Sequence, residues 1–466
     1  MRKARSDFAP RHKRTSPEAS SPAPIDVTIE KLIYGGEGLT HNECSTLFVP
    51  FVLPSERVKV VPVERKKKFV RAQLLQVLEP SPERVAPKCP HFGVCGGCDY
   101  QHIPYDAQLK YKEQILRETL RHLGKIDWTA EIVTHAAQPW GYRNRAQWKV
   151  RPIAPLERES TSSGPDNGAT AEKALAIGYF RANSISLCAV NDCPILSPLL
   201  LKTLLALRDT LASGRLPREL REIEAFTNET ADAEVARILL TLTFAGFPSR
   251  AAQHAQTIRD IVPEAESVLF HDPTRDRMEL FGPGFIANQI ADRKHRVGHF
   301  SFFQVNRYLA EELAREVVEN DPGGELALDL FAGVGLFAIP LAERFKKVIA
   351  VESNPAAARD LEANLQPSDA IEIRTADVEE FLAKFRKTPD LVVLDPPRSG
   401  LTPAGVRRLA EISAPRITYV SCEPPILARD LRGLLEAGYD ISEIHLFDLF
   451  PQTFHLETVV RFRRRL

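Results

Sequence analysis

The sequence predicts a multidomain α/β protein with a small β-barrel near the N-terminus, a central α+β part, and a C-terminal parallel sheet covered by helices on both faces. Three observations predict it. Residues 25–82 break into short alternating apolar–polar runs divided by turn residues. Residues 83–300 mix helical and strand patterns. From 301 to 466, β-branched apolar runs alternate with helical stretches, as in a parallel sheet. A chain of 466 residues is also too long for one compact core.

Residues 1–24, MRKARSDFAPRHKRTSPEASSPAP, lack an apolar core and read as a basic, disordered tail rather than a signal peptide. DVTIEKL, the turn YGGEG, TLFVPFV, ERVKVVPVE and KKFVRAQLLQVL give five or so strands, a pattern expected of small closed barrels that bind oligonucleotides. The linker PSPERVAPKCP leads into KCPHFGVCGGCDYQH. Residues 105–124 place Leu109, Ile115, Leu116, Leu120 and Leu123 on one face and end at Gly124, which predicts an amphipathic helix. The low-complexity stretch at 155–174 is expected to be a surface loop. Strands then follow at ELALDLF, KKVIAVE, AIEIRTAD, DLVVLDPP and RITYVSC. The last two, ISEIHLFDLF and ETVVRFRR, are close in sequence and so expected to be antiparallel.

The net charge is zero, but its distribution is uneven. Residues 1–150 hold 24 Lys and Arg against 16 Asp and Glu, a net of +8 that the remainder balances. ERKKKFVRA (64–72) and the terminal RFRRRL concentrate this charge, which suits a polyanion partner such as RNA. No run approaches the roughly 18 apolar residues of a membrane span. Seven cysteines without a secretion signal point to the reducing cytoplasm, where thiols serve metals or catalysis.

Cys89, Cys95 and Cys98 share one loop in which Gly93, Gly96 and Gly97 permit tight turns, so three thiolates can converge on a metal centre. Cys193 in NDCP offers a fourth ligand, with Cys188 as its competitor. The spacing accommodates zinc or an iron–sulfur cluster alike. In LDLFAGVGLFA, Gly333, Gly335 and Ala338 fit a nucleotide-binding fingerprint, and Glu352 lies 17 residues beyond Gly335. Such a turn serves nicotinamide, flavin or S-adenosylmethionine. Asp377 closes the third strand, within reach of an adenine edge or simply capping a helix. DPPRSG (395–400) resembles the motif of methyltransferases that act on planar bases. In VSCEPP, Pro424 and Pro425 end the strand ITYV and place Cys422 at the sheet rim, to which LFPQTFHLE brings Glu457 and His455. A lone strand-end cysteine is more often core packing than nucleophile. Together with a carboxylate and a methyl donor, however, it can add to C6 of uracil and so activate C5.

The ordered series CPHFGVCGGCDYQH, YRNRAQWKV, DCPIL, FFQVN, DLFAGVG, VESN, DPPRSG, VSCEPP and FPQTFHLE resembles the RNA uracil-C5 methyltransferases, in particular the iron–sulfur branch acting on 23S ribosomal RNA. The resemblance runs from about residue 25 to the end. It implies a TRAM-like RNA-binding barrel and a Rossmann-like class I methyltransferase domain. It implies a [4Fe–4S] cluster on Cys89, Cys95, Cys98 and Cys193, and S-adenosylmethionine held by Gln304, Phe331, Glu352 and Asp395, with Gly333, Gly335 and Asp377 beside them. Cys422 matches the nucleophile and Glu457 the base. RNA is then the partner, without DNA, membrane or an obligate protein subunit. The same chemistry on the T-loop of tRNA, or a non-catalytic iron–sulfur RNA binder, are the alternatives. Two departures stand out: Glu423 where the family usually has Asn after the nucleophile, and Leu336 where some members place Asn.

Overall fold

The computed structural model describes residues 23–42, 45–152, 175–229, 236–319 and 321–465. Most of the expected N-terminal tail, and the 155–174 insert, lie outside the described residues. The chain divides into two compact units: Met1–Leu32 with Glu37–Pro82, and Ile33–Gly36 with Glu83–Leu466.

Among its described residues the first unit contains six strands: β1 (Ile25–Thr28), β2 (Lys31–Leu32), β3 (Glu37–Asn42), β4 (Ser45–Pro50), β5 (Arg57–Arg65) and β6 (Phe69–Glu79). Their order is β1-β5-β6-β4-β3-β2. β1 and β2 are one bent segment pairing with β5 at one end and β3 at the other, so the sheet curls round and both edges belong to the same stretch of chain. Inward residues such as Val27, Leu47, Val49, Val58, Val60 and Val70 form its core. The alternation seen in sequence is this inward–outward pleat.

The second unit opens with α1 (Tyr105–Thr119), which runs into a π-helical turn at Leu120–Gly124 in place of the single regular helix expected. β7 (Val133–His135) follows. The next strands are β8 (Arg145–Pro152), β9 (Leu175–Phe180) and β10 (Leu187–Ala189), then α2 (Pro198–Ala212), β11 (Leu220–Thr227) and β12 (Ile238–Phe244). α3 (Ala251–Ile261), β13 (Ala265–Asp272) and β14 (Arg277–Phe281) complete a seven-stranded mixed sheet, ordered β10-β9-β8-β11-β12-β13-β14. Leucines of α2 and Ala255 and Ile258 of α3 pack against it around the buried Trp148. A hairpin of β15 (Phe285–Ile290) and β16 (Arg293–Gly298) leads to α4 (Ala310–Val318).

The remaining elements are β17 (Gly324–Leu330), α5 (Ala338–Leu341), β18 (Phe345–Glu352), α6 (Pro355–Asn364), β19 (Ile371–Thr375), α7 (Val378–Lys384) and β20 (Leu391–Leu394). After these come α8 (Pro403–Glu411), β21 (Arg416–Ser421), α9 (Pro424–Glu436), β22 (Tyr439–Phe447) and β23 (Glu457–Arg464). The sheet order is β19-β18-β17-β20-β21-β23-β22-β7. The first five strands are parallel and β23 is antiparallel to both neighbours. Successive strand residues face opposite layers. Leu328, Leu330, Val392 and Leu394 meet α7, α8 and α9, while Ala327, Leu391 and Val393 meet α4, α5 and α6.

Two sequence expectations change. β7 comes from the stretch assigned to the central part, yet its residues pair with His445, Leu446 and Phe447 at the edge of the C-terminal sheet. Pro424 and Pro425 do more than end a strand: they occupy the first turn of α9, where a missing N–H costs nothing and a fixed φ suits the helix.

Candidate active site and thiol cavity

Strand order reverses between β17 and β20, the switch point at whose carboxyl ends ligands of doubly wound sheets bind. The turn after β17 carries the glycine fingerprint. Phe331 adopts a left-handed φ of 67°, strained for a residue with a Cβ, and starts the loop. Gly333 and Gly335 answer to different demands. A Cβ on Gly335 would come within 2.5 Å of Leu361, so packing against α6 dictates that glycine. A Cβ on Gly333 meets nothing within 4 Å, which leaves an open cradle for a ligand. Glu352, at the end of β18, accepts from Gly333 N at 2.8 Å and Asn354 N at 2.6 Å, tying the two loops together.

Asp395 follows β20 and is linked by its N–H to Leu330 O. Burial pushes its carboxyl up to about 7. Glu457, the first residue of β23, is 4% exposed and its Oε1 has no hydrogen-bond partner. Burial and the nearby Asp395 hold its carboxyl well above the ordinary range, with Arg398 opposing them. Gln304 is buried between β16 and α4, and its carbonyl accepts from Asn144 Nδ2. Asp377 is the N-cap of α7: its Oδ1 accepts from Glu379 N and Glu380 N, the capping role weighed beside the adenine one.

Cys422 and Glu457 meet through strand register. Ser421, the last residue of β21, pairs with Thr458 of β23, so Cys422 and Glu457, the residues just beyond that pair, are brought close together. The thiol is pushed up to about 12, first by burial, then by Glu457 and Asp395, with Arg398 working the other way. His455 is pushed down to about 4 by burial and by Arg398, so it stays neutral at physiological pH. The loop before Glu457 is anchored from α1. The buried Lys112 donates to Asp448 Oδ1 at 2.6 Å and to Phe450 O at 3.0 Å. Gln108 Nε2 meets Gln452 Oε1, and Gln108 Oε1 accepts from Gln452 N.

Sequence reasoning missed Asp329 and Lys112. Asp329 sits fully buried in β17 with neither carboxyl oxygen hydrogen-bonded, and burial and Asp395 raise it far above the usual carboxylate range. A carboxylate inside the apolar run LALDLF was the available signal, since such burial is costly without a ligand or partner. Lys112 was legible as a charge four residues from both Gln108 and Leu116, on the buried face of its helix. Asp329, Glu352, Asp395 and Glu457 thus surround one rim beside an open glycine turn. That set fits S-adenosylmethionine, whose sulfonium and ammonium are cations and whose adenosine can lie against the bare backbone.

The second feature is a cavity lined by Cys89, Cys95, Cys98 and Cys193, with Gln101, Tyr179 and Arg143 among its other walls. Cys188, on β10, does not line it. Burial raises all four thiols, Cys95 to about 12 and Cys193 to about 11. Cys89 N–H donates to Gln101 Oε1 at 2.9 Å, fixing the start of the loop. The Nε of half-buried Arg143 is itself buried and has no hydrogen-bond partner. Four thiols lining one cavity, beside a guanidinium with an unpaired Nε, suit an anionic thiolate-bound metal group.

The doubly wound sheet, glycine turn and acidic rim define an S-adenosylmethionine-dependent methyltransferase. The family described as tRNA (Uracil-5-)-methyltransferase matches residues 285–465. A 23S rRNA (uracil(1939)-C(5))-methyltransferase RlmD of Alkalilimnicola ehrlichii is 31% identical over 454 residues, covering 95% of this chain and 97% of the relative. That of Salmonella paratyphi A is 32% identical over 450 residues, covering 94% and 96%. The crystal structure of Pyrococcus abyssi tRNA (uracil-54, C5)-methyltransferase with S-adenosyl-L-homocysteine superposes with a TM-score of 0.70 at 26% identity, covering 94% of this chain and all of that one. The chain belongs to the RNA uracil-C5 methyltransferase family.

Proposed function

We propose that this enzyme methylates C5 of a uridine in 23S ribosomal RNA, with Cys422 as nucleophile and Glu457 as base. The observation that carries this reading is the nearness of Cys422 to Glu457 and Asp395, which follows from the pairing of Ser421 with Thr458. S-adenosylmethionine supplies an electrophilic methyl on a sulfonium. Cys422 thiolate forms a bond to C6, moving the C5–C6 π pair so that C5 becomes an enolate carbon able to take that methyl. Glu457 then removes the C5 proton. Its return of electrons to the ring re-forms the double bond as the C6–S bond breaks and the thiolate leaves. Asp329, Asp395 and Glu352 are assigned to the donor, Asp395 beside the reacting groups. Phe331, Gly333 and Gly335 shape its cradle, and Gln304 borders the site.

Cys89, Cys95, Cys98 and Cys193 are assigned to a [4Fe–4S] cluster, with Arg143 offsetting its negative charge. The first unit is assigned as a TRAM-like RNA-binding barrel. In its favour, Arg65, Lys66, Lys67 and Lys68 are exposed beside Phe69, whose ring lies 5.0 Å from Phe48 and 5.7 Å from the Arg71 guanidinium. Cations interleaved with aromatics suit an RNA backbone and unstacked bases. The test is tritium release from 23S and tRNA transcripts labelled at uridine C5. Release from the 23S transcript alone supports the proposal; release from tRNA alone moves the substrate to the T-loop.

A further inference from the structure

Tyr34 lies in Ile33–Gly36, a segment that groups with the second unit. Its hydroxyl donates to Glu423 Oε2 at 3.0 Å and lies 3.5 Å from the Cys422 carbonyl oxygen. Its ring meets Phe454 edge-on at 5.3 Å, and Phe454 packs on His455 at 4.1 Å. One side chain therefore touches both the turn bearing Cys422 and the loop leading to Glu457. Gly35 and Gly36 follow it with φ of 108° and 81°, and a Cβ on Gly36 would press to 3.1 Å on Asp99 and Phe454. The segment is thus closely seated. Neither Tyr34 nor Glu423 has a part in the transfer derived above.

We propose that Tyr34 and Glu423 act as a positioning pair, in which the phenol absorbs part of the carboxylate's charge beside Cys422 and couples the nucleophile's turn to the loop of Glu457. This rests on the reading of Cys422 as nucleophile. The groups facing the thiol are Glu457 on β23, Asp395 and Arg398 after β20, and Glu423 on its own turn. Those facing the phenol are Glu423, Cys422 and Arg398. A negative neighbour opposes formation of the thiolate, and a donated hydrogen bond lessens its effect. Tyr34→Phe leaves that charge undiluted, so ionisation of Cys422 moves to higher pH. Glu423→Gln removes it, so ionisation moves to lower pH. Once Glu423 is neutral, loss of the phenol hydroxyl has little left to change.

The experiment follows the rate of covalent adduct formation between the enzyme and 23S transcript containing 5-fluorouridine, with S-adenosylmethionine, across pH. The expected midpoints are about half to one unit higher for Tyr34→Phe and lower by a similar amount for Glu423→Gln, with the double variant close to Glu423→Gln. An equal fold-loss at every pH, or the same Tyr34→Phe effect in both backgrounds, overturns the pair. Should Tyr34→Phe fail to fold by circular dichroism, Glu423→Gln decides alone, and an unmoved midpoint sinks the proposal. Cys422→Ala in the same assay separates the two readings: adduct persisting there refutes the nucleophile itself, whereas its loss leaves the pair to stand or fall on the midpoints.

Discussion

The thiol cavity and the methyl-transfer rim are built in opposite ways. Three of the four thiols that line the cavity come from the single loop 89–98, with Cys193 arriving from one other segment. The rim gathers Asp329, Glu352, Asp395, Cys422 and Glu457 from the ends of five strands, and its geometry is set by ladder register. A loop motif carries its geometry in local spacing. A rim assembled from strand ends carries it in the sheet, and so depends on elements far away in sequence. The difference predicts that the cavity is vulnerable to its own residues, whereas the rim is vulnerable also to supports such as Lys112.

The largest effect is expected within the rim. Cys422→Ala should abolish adduct and product together. Glu457→Gln should still form the adduct but lower turnover by about 10²–10⁴-fold, because only proton removal is lost. Gel-shifted adduct with 5-fluorouridine RNA and methyl incorporation from labelled donor measure the two steps separately.

Next comes the cavity. On the proposed cluster assignment, Cys193→Ser should yield purified protein without bound iron or visible absorbance, while Cys188→Ala should bind iron as the parent does. The reverse outcome would exchange the fourth ligand between them. Lys112→Met probes distant support of the rim. It leaves Asp448 buried and uncompensated, a loss of about 3–5 kcal/mol in urea unfolding, and turnover should fall because the loop of Glu457 loses its anchor.

The smallest effect concerns pH. Asp395 is pushed up to about 7 from an ordinary value of 3.8. The native state keeps a proton that the unfolded chain has released, so stability of the free enzyme falls as pH rises through that window. A cationic donor prefers the ionised carboxylate, so its affinity should rise through the same range. Calorimetric titration with S-adenosylmethionine between about pH 6 and 8 should show this, and Asp395→Asn should flatten it.

The same contrast explains what the sequence disclosed. The seven strands expected after residue 301, and the antiparallel terminal pair, could be read because each is a local run of β-branched residues. Three of the cavity's thiols could be read from their spacing, which left Cys193 and Cys188 open as the fourth. Register was not legible: nothing near Cys422 says that the pairing of Ser421 with Thr458 will bring Glu457 beside it. Nor was β7, three residues whose strand conformation exists only through pairing with β22. Asp377 was legible as an acid at a strand end that either reaches an adenine or caps a helix, and the structure shows it capping α7.

That β7 edge also orders events in time. Val133 pairs with His445, so the strand leaves the ribosome long before its partner has been translated. At roughly 5–20 residues per second, synthesis of the intervening chain takes some tens of seconds. Throughout that interval Val133–His135 has no ladder to join, and the final sheet closes only when the last strands arrive. A nascent chain stalled before β22 would display an unfinished element that chaperones can recognise, and a fragment beginning at residue 301 would lack the strand that covers the outer edge of β22.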